Sequence, residues 1–333
     1  MLEIDGSYGE SGGQILRTAI ALSAIKNTPV RIYNIRANRP EPGLKAQHLL
    51  SSLAAAKLCN AEIIGAKIGS KELIFKPKKI RFGKFKFDVG TAGSITLVLQ
   101  TLVPIVAFAN GPVELEITGG TDVTWSPPID YFENIFCTYA EKFGLLIINE
   151  TLKRGFYPKG GGLVKVKIFP IKNPKPLHLE KRGDFLEIKA FSVASRELER
   201  AKVAERQIST FKEAMSPNLK VREFVEYVES SSPGSVLYAH ALFSNCKLGT
   251  SAVGEKGKPA EEIGKEVAKN LLKEINSNAT VDKFLADQLI IFLALFGGSY
   301  LTSEITLHTK TNIWVAEQFI NKKFKIENNK ISI

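Results

Sequence analysis

Asn27-Thr28-Pro29-Val30-Arg31-Ile32 follows an apolar helix pattern at 14–26, and Asn110-Gly111-Pro112-Val113-Glu114-Leu115 follows another at 94–109. Each stretch is a turn with a proline that runs into a strand, and the two lie 83 positions apart. The helix starts correspond too, since Gly9-Glu10-Ser11-Gly12 resembles Gly90-Thr91-Ala92-Gly93. A third copy is expected late in the chain: a helix at 284–296, the turn Gly297-Gly298-Ser299 and a strand at 300–307. Units one and two each add an amphipathic helix, at 43–59 and 128–143. Such a recurrence predicts repeated βα units, each a sheet covered on one face by helices.

The stretch between units two and three has another texture. Strands are expected at 185–195, 221–229 and 236–243, with helices at 196–214 and 259–275. Asn173-Pro174-Lys175-Pro176 precedes it and Asn276-Ser277-Asn278-Ala279 follows, both rich in turn formers. Residues 180–276 therefore read as a smaller inserted α/β domain, and 1–179 with 277–333 as a large catalytic one. The third repeat would be split, with early strands at 162–169 and its remainder after 280. The fold class is α/β (α+β).

The chain has 333 residues and a formal net charge of +11, which favours an acidic partner, nucleic acid first. Lysine runs such as 322–330 are also compatible with ordinary solvated faces. Cys59, Cys137 and Cys246 are few, odd in number and far apart, arguing against a disulfide framework and a structural zinc. No basic-then-apolar leader opens the chain, and the longest apolar stretch, 285–296, contains Asp287 and Gln288. A soluble cytoplasmic protein with no membrane association is expected.

The candidate chemistry sits in two places. Gly6-Ser7-Tyr8-Gly9-Glu10-Ser11-Gly12-Gly13 runs into the first helix, and a glycine turn before a helix exposes N–H groups at the positive end of its dipole. The spacing fits neither a Walker loop nor a dinucleotide fingerprint. Glu10 inside such a turn faces phosphate sensibly only if it holds a divalent metal; otherwise it is a helix-start carboxylate. Arg17 falls two turns on, and Arg36 and Arg39 flank a proline-punctuated loop suited to clamping phosphate. His308 is placed just past the third strand. An imidazole there is a competent nucleophile toward phosphorus, or simply a surface or capping histidine. Gln100 and Asp287 are polar intrusions in apolar helices, where buried groups need partners.

Taken together these positions resemble the RNA 3′-terminal phosphate cyclase family over essentially the whole chain. The block 6–17, Arg36-Ala37-Asn38-Arg39-Pro40 with Gln47-His48, Gly90-Thr91-Ala92-Gly93-Ser94 and Phe156-Tyr157-Pro158-Lys159-Gly160-Gly161-Gly162 carry the likeness. So do Gly254-Glu255-Lys256-Gly257, Leu285-Ala286-Asp287-Gln288, and His308 with Thr311-Asn312. The resemblance implies three βα repeats like those of enolpyruvyl transferases, with a small domain inserted in the third. It implies ATP as substrate, Mg²⁺ or Mn²⁺, and RNA ending in a 3′-phosphate as partner, and it is compatible with a homodimer. It implies His308 as the residue that takes AMP and Glu10 as the metal ligand. Arg17, Arg36, Arg39 and His48 would contact phosphate. Gln100, Lys283, Phe284, Leu285, Ala286 and Asp287 would line the nucleotide pocket, with Phe284 against adenine. The alternative is the family's non-cyclising branch, which acts in ribosomal RNA processing and lacks the histidine.

Overall fold

A computed structural model describes all 333 residues. The chain begins β1 (Leu2–Asp5), α1 (Gly13–Lys26), β2 (Val30–Tyr33), α2 (Ala46–Cys59), β3 (Glu62–Ile64) and β4 (Leu73–Lys76). These strands form a sheet in the order β1-β2-β4-β3, the first pair parallel and the other two antiparallel. The parallel pair requires a crossover, which α1 supplies while burying Ile15, Leu16, Ala19 and Ile20.

The second unit repeats this arrangement with β5 (Gly83–Asp88), α3 (Ile95–Val106), β6 (Val113–Gly119), α4 (Ile129–Tyr131), α5 (Cys137–Lys142), β7 (Leu146–Lys153) and β8 (Gly162–Phe169). A π-helical turn at Phe132–Phe136 joins α4 to α5. The order is β5-β6-β8-β7, again with one parallel and two antiparallel pairs. This corrects one expectation. Residues 162–169 close the second sheet rather than opening the third, because β8 is hydrogen-bonded between β6 and β7 along its whole length.

β9 (Leu177–Leu179) opens the third unit, and the chain then leaves it. β10 (Phe185–Ser195), α6 (Val203–Ala214), β11 (Val221–Val228), β12 (Ser235–Phe243), β13 (Lys247–Val253) and α7 (Ala260–Asn276) build a separate sheet, ordered β11-β10-β12-β13. Its last strand, β13, has no counterpart among the sequence expectations. The third unit resumes with α8 (Lys283–Gln288), α9 (Ile290–Phe296), β14 (Gly298–Leu301), α10 (Leu307–Glu317), β15 (Lys325–Glu327) and β16 (Lys330–Ser332). Its order, β9-β14-β16-β15, reproduces the topology of the other two. One hydrophobic cluster of 78 buried residues runs through all three units and into the fourth sheet. No helix is long and apolar enough to cross a membrane.

Candidate active site

The third unit corrects the expectation for His308, which was placed past the end of a strand. β14 stops at Leu301, where its pairing with β16 ends at Lys330, one residue after its pairing with β9 ends at Tyr300. Thr306 then caps a helix, its hydroxyl accepting the Thr309 N–H at 3.1 Å, so His308 lies in the first turn of α10. The position is at the positive end of a helix dipole, which suits an anion and disfavours imidazolium.

The glycine turn at 6–13 is seated directly on α10. Gly9 has φ +55°, and a Cβ there would stand 2.5 Å from Thr311 Oγ1. Tyr8 stacks on Trp314 with ring centroids 4.0 Å apart. Thr18 of α1 donates to Asn312 Oδ1 at 2.9 Å, and Asn312 Nδ2 donates to the Asp287 carbonyl at 3.0 Å. Three helix ends, from α1, α8 and α10, therefore meet at one point, and Thr311 and Asn312 act as the clasp.

The chemistry gathers at that point. His308 Nε2 lies 2.7 Å from Glu10 Oε2, and its Nδ1 lies 4.0 Å from Asp287 Oδ2, so each ring nitrogen faces a carboxylate. The ring is 44% exposed on its other side. Burial lowers its pKa, Glu10 opposes that, and Arg17 and Arg39 add to it; the balance favours the neutral imidazole. Burial lifts the Asp287 carboxyl to about 7 against the pull of Arg17, and burial draws the Arg17 guanidinium down to about 10 against Asp287. Arg39 reaches Glu10 at 3.6 Å.

Arg39 Nε and Gln14 Nε2 are buried with no hydrogen-bond partner. Such orphan donors are costly unless something fills them, and a multiply charged acceptor such as phosphate would. Gln14 was absent from the sequence candidates, though a buried amide on an apolar helix face is the same signal that marked Gln100. Both amides line a small cavity of about 30 Å³ with Arg17 and Asp287, large enough for one water.

The remaining candidates are distributed unevenly. His48 is buried at the start of α2, and its Nδ1 accepts the Lys45 N–H at 3.2 Å. Burial, with Arg17, Arg36 and Lys45 beside it, takes its pKa down to about 3, so it is a neutral Nε2–H donor rather than a cation. Gly13 is required beside it, since a Cβ would come within 2.1 Å of that nitrogen. Arg36, at φ +56°, donates to the Glu41 carbonyl at 2.6 Å and the Gly43 carbonyl at 3.1 Å, bracing its own loop. Leu285 and Ala286 are core residues, their side chains wholly buried. Phe284 is 43% exposed, and the Lys283 ammonium lies 5.0 Å from its ring centroid. No group of three His, Cys, Asp or Glu residues gathers to cage a metal.

A family model for the RNA 3′-terminal phosphate cyclases matches residues 8–326. Three curated proteins, each named RNA 3′-terminal phosphate cyclase, are similar to this chain. The one from Pyrococcus abyssi is 49% identical, over 98% of this chain and 95% of its own length. That from Pyrococcus furiosus is 48% identical over the same shares. That from Methanopyrus kandleri is 43% identical over 96% and 93%.

Proposed function

This chain belongs to the RNA 3′-terminal phosphate cyclase family, and from that premise we propose that it converts an RNA 3′-phosphate into a 2′,3′-cyclic phosphate in three ATP-driven steps. A nitrogen of His308 attacks the α-phosphorus of ATP; the N–P bond forms and pyrophosphate leaves. An oxygen of the RNA 3′-phosphate then attacks that phosphorus, the N–P bond breaks, and AMP passes to the RNA end as a pyrophosphate-linked adenylate. The neighbouring 2′-OH finally attacks the activated 3′-phosphorus, losing its proton to water and expelling AMP. Adenylation is needed because a phosphate oxygen is otherwise a poor leaving group; most of the catalysis is positioning and charge neutralisation.

The observation that carries this reading is the half-exposed, neutral imidazole with a carboxylate at each nitrogen. A neutral ring keeps its lone pair for phosphorus, and the nitrogen that does not attack becomes positive and benefits from the facing carboxylate. Arg17, Arg39 and the unpartnered Gln14 amide supply donors for the phosphates. Glu10 Oε1 makes no hydrogen bond, and one carboxylate fits a divalent ion that takes its other ligands from phosphates and water. Glu10 would hold Mg²⁺ or Mn²⁺, whose chemistry is to offset charge on the triphosphate. We infer further that residues 180–276 are the inserted domain and that the protein works in the cytoplasm.

Incubation with α-labelled ATP and a divalent metal is expected to label the protein with an acid-labile, base-stable bond. His308→Ala should carry no label. Equal labelling of wild type and His308→Ala would remove His308 from the reaction. A wild type that takes no label yet binds ribosomal RNA would place the chain in the non-cyclising branch.

A further inference from the structure

Two aromatic side chains stand almost free of the protein on loops that are otherwise fixed. Trp125 is 98% exposed and Tyr157 74%. Trp125 also has φ +65°, a conformation bulky residues avoid. Its loop is held at both ends: Thr96 Oγ1 donates to the Pro127 carbonyl at 2.7 Å, and the Ile129 N–H to the Thr121 carbonyl at 3.1 Å. The loop of Tyr157 is bound to it, since the Thr121 N–H donates to the Gly155 carbonyl and the Gly155 N–H to Thr121 Oγ1, both at 2.9 Å. Beneath them Arg154 pairs with Asp130 at 2.7 Å and Asp122 at 3.2 Å, all three buried. A fully exposed indole on so rigid a mount gains nothing from the fold itself.

Both loops lean on the segment Thr91–Ala92. A Cβ on Gly120 would stand 2.4 Å from the Ala92 carbonyl oxygen, and one on Gly160 2.9 Å from the Thr91 carbonyl oxygen. That segment leads back to the active site. The Ser94 N–H donates to Gln47 Oε1 at 3.2 Å, and the next residue, His48, lies against Gly13 and Arg17. Lys159, exposed and without an ion pair, follows Tyr157 by two positions, and its backbone N–H donates to Ser232 Oγ at 3.1 Å.

We propose that Trp125 and Tyr157, with the Lys159 ammonium, form the track for the RNA chain that leads to the 3′ end, the rings stacking on bases and the lysine meeting a phosphate. Unpaired aromatic faces interleaved with a cation are what single strands bind regardless of sequence, and the net charge of +11 draws the same partner. The inference rests on the function proposed above, and it concerns the part of the RNA distant from the reacting phosphate.

The test compares a 3′-phosphorylated RNA of about ten nucleotides with a 3′-phosphorylated dinucleotide. For the variant Trp125→Ala/Tyr157→Ala, KM for the longer RNA should rise by about tenfold or more. The dinucleotide KM and self-adenylation by ATP should stay near wild type. Fluorescence gives a second readout, because Trp125 and Trp314 are the two tryptophans. The longer RNA should quench wild-type emission more than the dinucleotide does, and Trp125→Phe should abolish that difference. Equal effects on both RNAs, or none, with self-adenylation intact, would overturn the track alone. A change in oligomeric mass with unchanged RNA binding would assign the surface to copies of the chain and also overturn it. Loss of self-adenylation and RNA binding in the wild type would instead take down the underlying function.

Discussion

His48 and His308 are both held neutral by burial and nearby cations, but only His308 is open to solvent and to a substrate. For His48 the consequence is thermodynamic. Its unfolded value is near 6.5 and its folded value about 3, so the unfolded chain binds a proton that the folded one refuses. The stabilisation is complete above pH 6.5 and drains away as the pH falls toward 3. His240, also lowered to about 3 by burial and by Lys247 and Lys189, adds a second such proton. Urea denaturation of His48→Gln between pH 6 and 4 should show a slope shallower by about one proton, or about 1.4 kcal/mol per pH unit. An unchanged slope would mean that His48 is charged in the folded protein. Nothing in the sequence separates these two histidines by environment, since neither Arg17 and Arg36 beside His48 nor the carboxylates around His308 are next to it in the chain.

At the scale of elements the repeat was legible and its joints were not. Both Asn-containing turns, at 27 and 110, lie between a helix and a strand as the pattern predicted. Residues 162–169 alternate like any strand, yet alternation does not say which sheet receives it; pairing with β6 and β7 decides that. Residues 302–307 carry β-branched side chains that read as a continuing strand, and tertiary context overrode them, since the sheet ran out of partners and Thr306 was free to cap α10. The Glu10–His308 meeting depends on that joint and on Gly9, whose contact with Thr311 no local pattern reveals. Gly9→Ala places a β-carbon against Thr311 Oγ1 in a left-handed conformation. It should cost about 1–2 kcal/mol and lower the rate of self-adenylation. Removing the obstacle should restore part of both, so Gly9→Ala/Thr311→Ala is expected to be less impaired than the two single changes predict. Strict additivity in a denaturation and labelling cycle would show that the turn does not depend on that contact.

At the scale of the molecule, three units of one topology supply three helix starts in equivalent places, and the chain has specialised them. The helices that follow the second strand of each unit, α2, α4 and α10, carry His48, Asp130 and His308 in their first turns: a buried donor, a buried ion-pair member and the proposed nucleophile. The first helix of unit three is fixed by Asp282, which is wholly buried and joins every part of the chain around it. Its carboxylate takes the Tyr131 hydroxyl at 2.6 Å from unit two and the Gly249 N–H at 3.0 Å from the 185–253 sheet. It also takes the Phe284 and Leu285 N–H groups of α8, each at 3.0 Å. Its two long-range partners, Tyr131 and Gly249, lie 151 and 33 positions away in the chain, so no local pattern reveals them. With one hydrophobic cluster running through all these parts, the chain should unfold in a single transition. Asp282→Ala removes the cap and strands the buried Tyr131 hydroxyl and Gly249 N–H, so it should cost about 3 kcal/mol while the transition stays single. Asp282→Asn keeps an acceptor of the same size and sheds the burial cost that raises this carboxyl's pKa, so its loss should be smaller. Far-UV circular dichroism, followed through urea, reads the helices and strands of every part, whereas tryptophan emission, from Trp125 and Trp314, reads only units two and three. Separate midpoints in the wild type would mean that residues 185–276 stand on their own core, and Asp282 would then be a local cap rather than a joint.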